Sequence, residues 1–180
     1  ITGGEPAEQI ENLELLIKNP RISDRVFTIE TSGNIKFHPN LFHLVSCSPK
    51  MDGMRARDKN PDRYNHLKEM IDEQISKGKL FQLKFVIENL SDFNQAKELV
   101  KSQVPEKYSN RINIIFQPNN YNMSENSDTV QGLLQYVESY KVLISSIMDD
   151  VKKNPFWNQY KQVRVLMQNH WVAYGRRAGV

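Results

Sequence analysis

Cysteine is nearly missing from this chain: Cys47 stands alone in 180 residues. A single thiol excludes an internal disulfide framework and fits a reducing cytoplasm. Cys47 has no neighbour at the spacing of a metal site. Histidine is scarce too. His38 falls in a loop, His43 in a strand, His66 in a helix and His170 beyond the last strand, so the four form no metal quartet. No apolar run approaches the roughly 18 residues of a membrane span. No signal-peptide pattern opens the sequence. Repeats and low-complexity tracts are lacking. So is an excess of one charge: the formal net charge is +3 and the basic residues are mixed with acids, which argues against direct nucleic-acid binding. What remains is ordinary for a globular protein, with 39% hydrophobic and 25% charged residues. The length of 180 residues suits a single domain, 1–180, with a real core.

Strand and helix patterns alternate. Ala7 to Lys18 places Ile10, Leu13, Leu16 and Ile17 at helical spacing, with acids early and a lysine late, and Asn19-Pro20 stops it. Asp62 to Lys77 predicts a helix closed by Gly78, Ser91 to Gln103 a third and Ser127 to Lys152 a long fourth. Strands are predicted over Arg25 to Thr31, Leu41 to Cys47, Leu80 to Glu88, Arg111 to Gln117 and Gln162 to Gln168. Ile1-Thr2 is a strand end. The rhythm predicts an α/β fold with a largely parallel sheet. The short apolar strands suggest that both faces of that sheet are covered. Met51 to Asp62 and Asn119 to Asn126 are polar loops.

The unusual polar motifs cluster by position. Gly3-Gly4-Glu5-Pro6, Glu30-Thr31-Ser32-Gly33, Ser46-Cys47-Ser48-Pro49-Lys50, Glu88-Asn89, Gln117-Pro118-Asn119-Asn120 and Gln168-Asn169-His170 each follow a strand. In a parallel barrel or partial barrel those ends meet on one rim, where ligands bind. Each motif also has a plain structural reading. Gly3-Gly4 and Thr31-Ser32-Gly33 serve as tight turns, and Glu5 as an acid favouring a helix N-terminus. Glu30 ends an apolar strand and needs a hydrogen-bonding role or a structural partner. Ser48-Pro49-Lys50 suits a carboxylate or phosphate. Cys47 reads as strand packing rather than a nucleophile. His170 reads as a packed or a catalytic histidine.

Together these motifs resemble the radical S-adenosylmethionine enzymes, and within them the 7-carboxy-7-deazaguanine synthases. The resemblance is carried by Thr2-Gly3-Gly4-Glu5-Pro6, Glu30-Thr31-Ser32-Gly33, Val45 to Lys50, Lys84-Phe85-Val86, Phe116-Gln117-Pro118 and the ending Val165 to His170 with Gly175 to Val180. It implies a partial (β/α) barrel. Gly3, Gly4, Glu5, Ser32, Ser48, Pro49, Lys50, Gln117, Pro118, Asn119 and Asn120 would line S-adenosylmethionine, with Gly4 and its turn at the methionyl amino group. Lys50 is suited to the methionyl carboxylate or a ribose hydroxyl. Thr2, Gln168, His170 and Val180 would face a pterin substrate. The reaction implied is conversion of 6-carboxy-5,6,7,8-tetrahydropterin to 7-carboxy-7-deazaguanine with loss of ammonia, as in queuosine biosynthesis. It uses a [4Fe–4S] cluster on three cysteines and Mg²⁺.

The chain departs from that pattern. The three-cysteine loop belongs ahead of Gly3-Gly4-Glu5-Pro6, and no such loop is in these residues. Nor is the Mg²⁺ ligand. Met167 stands where proline is usual, and Cys47 is unusual within its motif. The expectation is therefore a C-terminal portion of a larger cytoplasmic enzyme, lacking an N-terminal strand and helix. It would be inactive alone and prone to aggregate at its exposed sheet edge. The full-length protein is compatible with a homodimer. Two further readings stay open: another radical S-adenosylmethionine enzyme such as an activase, and a non-catalytic nucleotide-binding domain.

Overall fold

The computed structural model describes residues 1–52, 61–118 and 130–166. Among these residues five strands form one sheet: β1 (Thr28–Thr31), β2 (Leu44–Cys47), β3 (Leu80–Ile87), β4 (Asn113–Pro118) and β5 (Gln162–Val165). Their order in the sheet is their order in the chain, and every neighbouring pair is parallel. The α/β class and the parallel sheet are thus as the sequence predicts. Ile1 extends the sheet beyond β1. Its amino group donates to Thr28 O at 2.7 Å and its carbonyl accepts from Glu30 N at 2.9 Å, the pattern of a parallel pair with Ile29.

Among the described residues four α-helices accompany the strands: α1 (Ile10–Ile17), α2 (Leu67–Ser76), α3 (Leu90–Gln103) and α4 (Val130–Lys153). A 3₁₀ turn over Pro6–Gln9 leads into α1, with Pro6 at a position where a missing N–H costs nothing. Asn89 caps α3, its side chain accepting from Asp92 N at 3.0 Å. The region before α2 departs from the expected helix: 61–64 is a 3₁₀ turn and α2 begins at Leu67.

A sheet wound in one direction with crossovers of one hand places its helices on one face. The core lies on that face. Ile29, Val45, Phe81, Leu83, Phe85, Ile114 and Phe116 are buried there with Leu67, Met70 and Ile71 of α2, Phe93 and Ala96 of α3, and Ile147 of α4. Phe93 and Trp157 both meet the Phe116 ring edge to face, at 5.1 and 5.6 Å between centroids. Lys97 of α3 grips Asp150 of α4 at 2.8 and 2.9 Å, and Trp157 donates to the same carboxylate at 2.7 Å.

The sequence suggests cover on both faces of the sheet; among the described residues the apolar core lies on one of them. The alternate residues of each strand are mostly polar: Glu30 on β1, Ser46 on β2, Gln82 and Lys84 on β3, Asn113 and Gln117 on β4, Gln162 and Arg164 on β5. Four of them form one row across the sheet, Ser46–Gln82–Asn113–Gln162, with Glu30 at its end. Among the described residues no helix is long and apolar enough to cross a membrane.

Candidate functional site

Gly3 and Gly4 turn the chain between Ile1 and the 3₁₀ turn with φ of +100° and +60°. A side-chain carbon at either would meet nothing within 4 Å. The left-handed backbone, not crowding by protein atoms, explains glycine there, and the turn is open to a ligand. Glu5 follows. Its Oε1 accepts from Thr31 Oγ1 at 2.6 Å and Ala7 N at 3.1 Å; its Oε2 accepts from Ser32 N at 2.8 Å and Ser32 Oγ at 2.5 Å. Burial raises the Glu5 carboxyl, but these donors outweigh it and hold the group below its ordinary value. Glu5 therefore ties the glycine turn to the end of β1. Gly33 packs under this knot, directly against Cys47.

The Ser48-Pro49-Lys50 segment leaves the end of β2. Ser48 N donates to Thr31 O at 2.7 Å, which carries the β1–β2 pairing one step further. The Lys50 backbone is held on both sides: its N–H donates to Tyr64 Oη at 2.6 Å and its carbonyl accepts from Arg63 Nη2 at 2.7 Å. Its ammonium donates to Ser48 Oγ at 3.5 Å. Burial, then the nearby Lys84 charge, lowers the Lys50 pKa. Cys47 is fully buried. Burial first and the Glu5 charge second push its thiol far up, so it packs as a neutral side chain.

Lys84, Glu30 and Thr2 adjoin on the polar face. Lys84 Nζ lies 4.0 Å from Glu30 Oε1, and Thr2 Oγ1 donates to Glu30 Oε2 at 3.3 Å. Behind them Gln82 Nε2 donates to Ser46 Oγ at 2.7 Å. Gln117 lies on the same face near the end of β4, half-buried, and Pro118 is buried at that strand's last position.

The structure thus brings Thr2, Gly3, Gly4, Glu5, Ser32, Ser48, Pro49 and Lys50 to one end of the sheet, with Gln117 and Pro118 at the matching end of β4. Asn119, Asn120, Gln168, His170 and Val180 lie outside the described residues. Glu30 and Lys84 join the site although they are not among the ligand contacts that the resemblance assigns. Their signal is the two-residue alternation of β1 and β3, which sets both opposite the core. Among the described residues, no group of three or more His, Cys, Asp or Glu is placed to hold a metal. No protein-family model matches the chain, and no curated protein matches it significantly.

Proposed function

We propose that this chain forms the cosubstrate-binding part of a radical S-adenosylmethionine enzyme of the 7-carboxy-7-deazaguanine synthase type, folded as a partial (β/α) barrel. The observation that carries the reading is the division of a sequentially wound parallel sheet into an apolar helix-bearing face and a polar face. The glycine turn, Ser32 and the Ser48-Pro49-Lys50 segment stand together at the strand ends beside that polar face. Such ends are where parallel α/β folds take ligands.

In this reading the Gly3-Gly4 turn receives the methionyl amino group, and the Lys50 and Ser48 side chains face the rest of S-adenosylmethionine. Thr2 and the polar face receive the pterin. The residues present do not fit an iron–sulfur cluster. Such a cluster takes three thiolates in this family, while these residues hold one cysteine, buried and neutral. Cluster ligands would have to come from outside this sequence. The glycine turn, with nothing within 4 Å of either Cβ position, also suits a second reading, a nucleotide-binding domain.

Equilibrium titration with S-adenosylmethionine tests the proposal. Saturable one-to-one binding is expected, abolished by Gly4→Val, which puts a branched side chain on a left-handed residue. Absence of binding by the folded wild type would refute it. Binding of adenosine as tightly as S-adenosylmethionine would favour the second reading.

A further inference from the structure

Lys84 follows Leu83, which faces Cys47 across the β2–β3 pairing, and Ser48 follows Cys47. The Lys84 and Ser48 side chains therefore leave neighbouring points of the polar face. Lys50 reaches back to the same Ser48 hydroxyl. Besides Glu5, whose carboxylate is already held by Thr31, Ser32 and Ala7, two ammonium groups and one carboxylate share this end of the sheet: Lys50, Lys84 and Glu30.

None of the three is firmly engaged. Lys84–Glu30 at 4.0 Å and Lys50–Ser48 at 3.5 Å stand at the outer limits of an ion pair and a hydrogen bond. Among the described residues neither ammonium has a closer polar partner. Each carries three donor hydrogens. The Lys50 and Lys84 side chains are partly buried, where a second like charge is costly. Glu30 is more open, with its side chain 52% exposed, and it has acceptor capacity beyond its bond from Thr2.

Taking the polar face as the ligand site of the reading above, we propose that Lys50, Lys84 and Glu30 receive a carboxylate with a neighbouring N–H group. The carboxylate lies between the two ammonium groups, and the N–H faces Glu30. A phosphate fits less well, because its second negative charge would stand against Glu30. The methionyl end of S-adenosylmethionine carries this grouping, its amino group then lying between the glycine turn and Glu30, which Thr2 of that turn already joins; a tetrahydropterin with a carboxyl at position 6 carries it too.

The test is calorimetric titration under anaerobic conditions with two ligand pairs. One is S-adenosylmethionine and its decarboxylated form; the other is 6-carboxy- and 6-methyl-5,6,7,8-tetrahydropterin. In one pair the carboxylated member should bind at least roughly tenfold more tightly, as charge-assisted hydrogen bonds require. Lys84→Met should remove that preference and Lys84→Arg should keep it. The pair that shows the effect identifies the source of the carboxylate. Equal binding within both pairs, or a preference surviving in folded Lys84→Met, overturns the proposal. A second measurement needs no variant. L-Methionine or pipecolate should shift the ¹³Cε resonances of Lys50 and Lys84, and L-methioninol should not. If those shifts occur while neither cosubstrate binds, the receptor stands and the enzyme reading falls. If the shifts are missing, the receptor falls whatever S-adenosylmethionine does.

Discussion

Gly33→Ala should be among the most damaging small substitutions in this chain. Gly33 has φ of +74°, and an added Cβ would lie 2.3 Å from Cys47 Sγ and 3.1 Å from Leu67 Cδ2. The first distance is far inside van der Waals contact. Neither neighbour can yield easily, since Cys47 and Leu67 are both 0% exposed. Forcing an L-residue into the left-handed region costs about 1–2 kcal/mol. Overpacking a closed core costs about 1–3 kcal/mol. Reduced freedom of the unfolded chain returns only about 0.4–1 kcal/mol. The net is about 3 kcal/mol, a large share of the roughly 5–15 kcal/mol of a typical domain. With a urea slope of about 2 kcal/mol/M, the unfolding midpoint should fall by about 1.5 M. Adding Cys47→Ala removes the sulfur that the new methyl meets. The double variant should therefore be at least about 1 kcal/mol more stable than the two single losses sum to. An unfolding midpoint within about 0.3 M of wild type for Gly33→Ala would refute the reasoning. Strict additivity in the cycle would leave the backbone term and remove the steric one.

Two further predictions concern the carboxylates that join elements. The Glu5 carboxyl is held below its ordinary 4.5, so its contribution is present above that value and is lost as pH falls through its folded pKa. The stability gap between wild type and Glu5→Gln should thus be widest at neutral pH and close in acid; denaturant midpoints across pH check this, and a constant gap would count against it. Asp150→Ala leaves the Lys97 ammonium, 13% exposed, and the Trp157 indole without their shared acceptor. It should cost about 2 kcal/mol and alter Trp157 emission, whereas a change under about 0.5 kcal/mol would mean that solvent replaces the carboxylate freely.

The strand cores and helix faces were legible because they rest on short-range periodicity. Phe81, Leu83 and Phe85 alternate with Gln82 and Lys84, and Met70 and Ile71 fall on one helical face. The ends were less legible because side chains set them. β1 begins at Thr28 rather than Arg25, where the Phe27 N–H turns to His43 Nδ1 at 3.1 Å. Before α2, the His66 ring meets the Gly33 carbonyl at 2.9 Å. The cover suggested for the second face rests on reading the short strands as uniformly apolar, and Gln82 and Lys84 break that run. At the site, position after a strand was readable. The Glu5 contacts to Thr31 and Ser32 were not, because they join residues 26 and 27 positions apart.

Strand alternation also separates what the two faces answer to. Leu83 is 1% exposed in the core, so its constraint is volume. Lys84, the next residue, contributes little to that core and stands beside Glu30. A charged side chain on a half-buried strand position gains little from a partner at 4.0 Å while losing hydration. The same holds for Lys50, whose backbone is fixed by Tyr64 and Arg63 while its ammonium meets only Ser48 at 3.5 Å among the described residues. Rigid backbones that carry loosely satisfied charges suit a ligand that completes the pairing. Stability in this chain is thus built on one side of the sheet, and the unfinished electrostatics lie on the other. That is the division expected if the polar face is kept for binding rather than for folding.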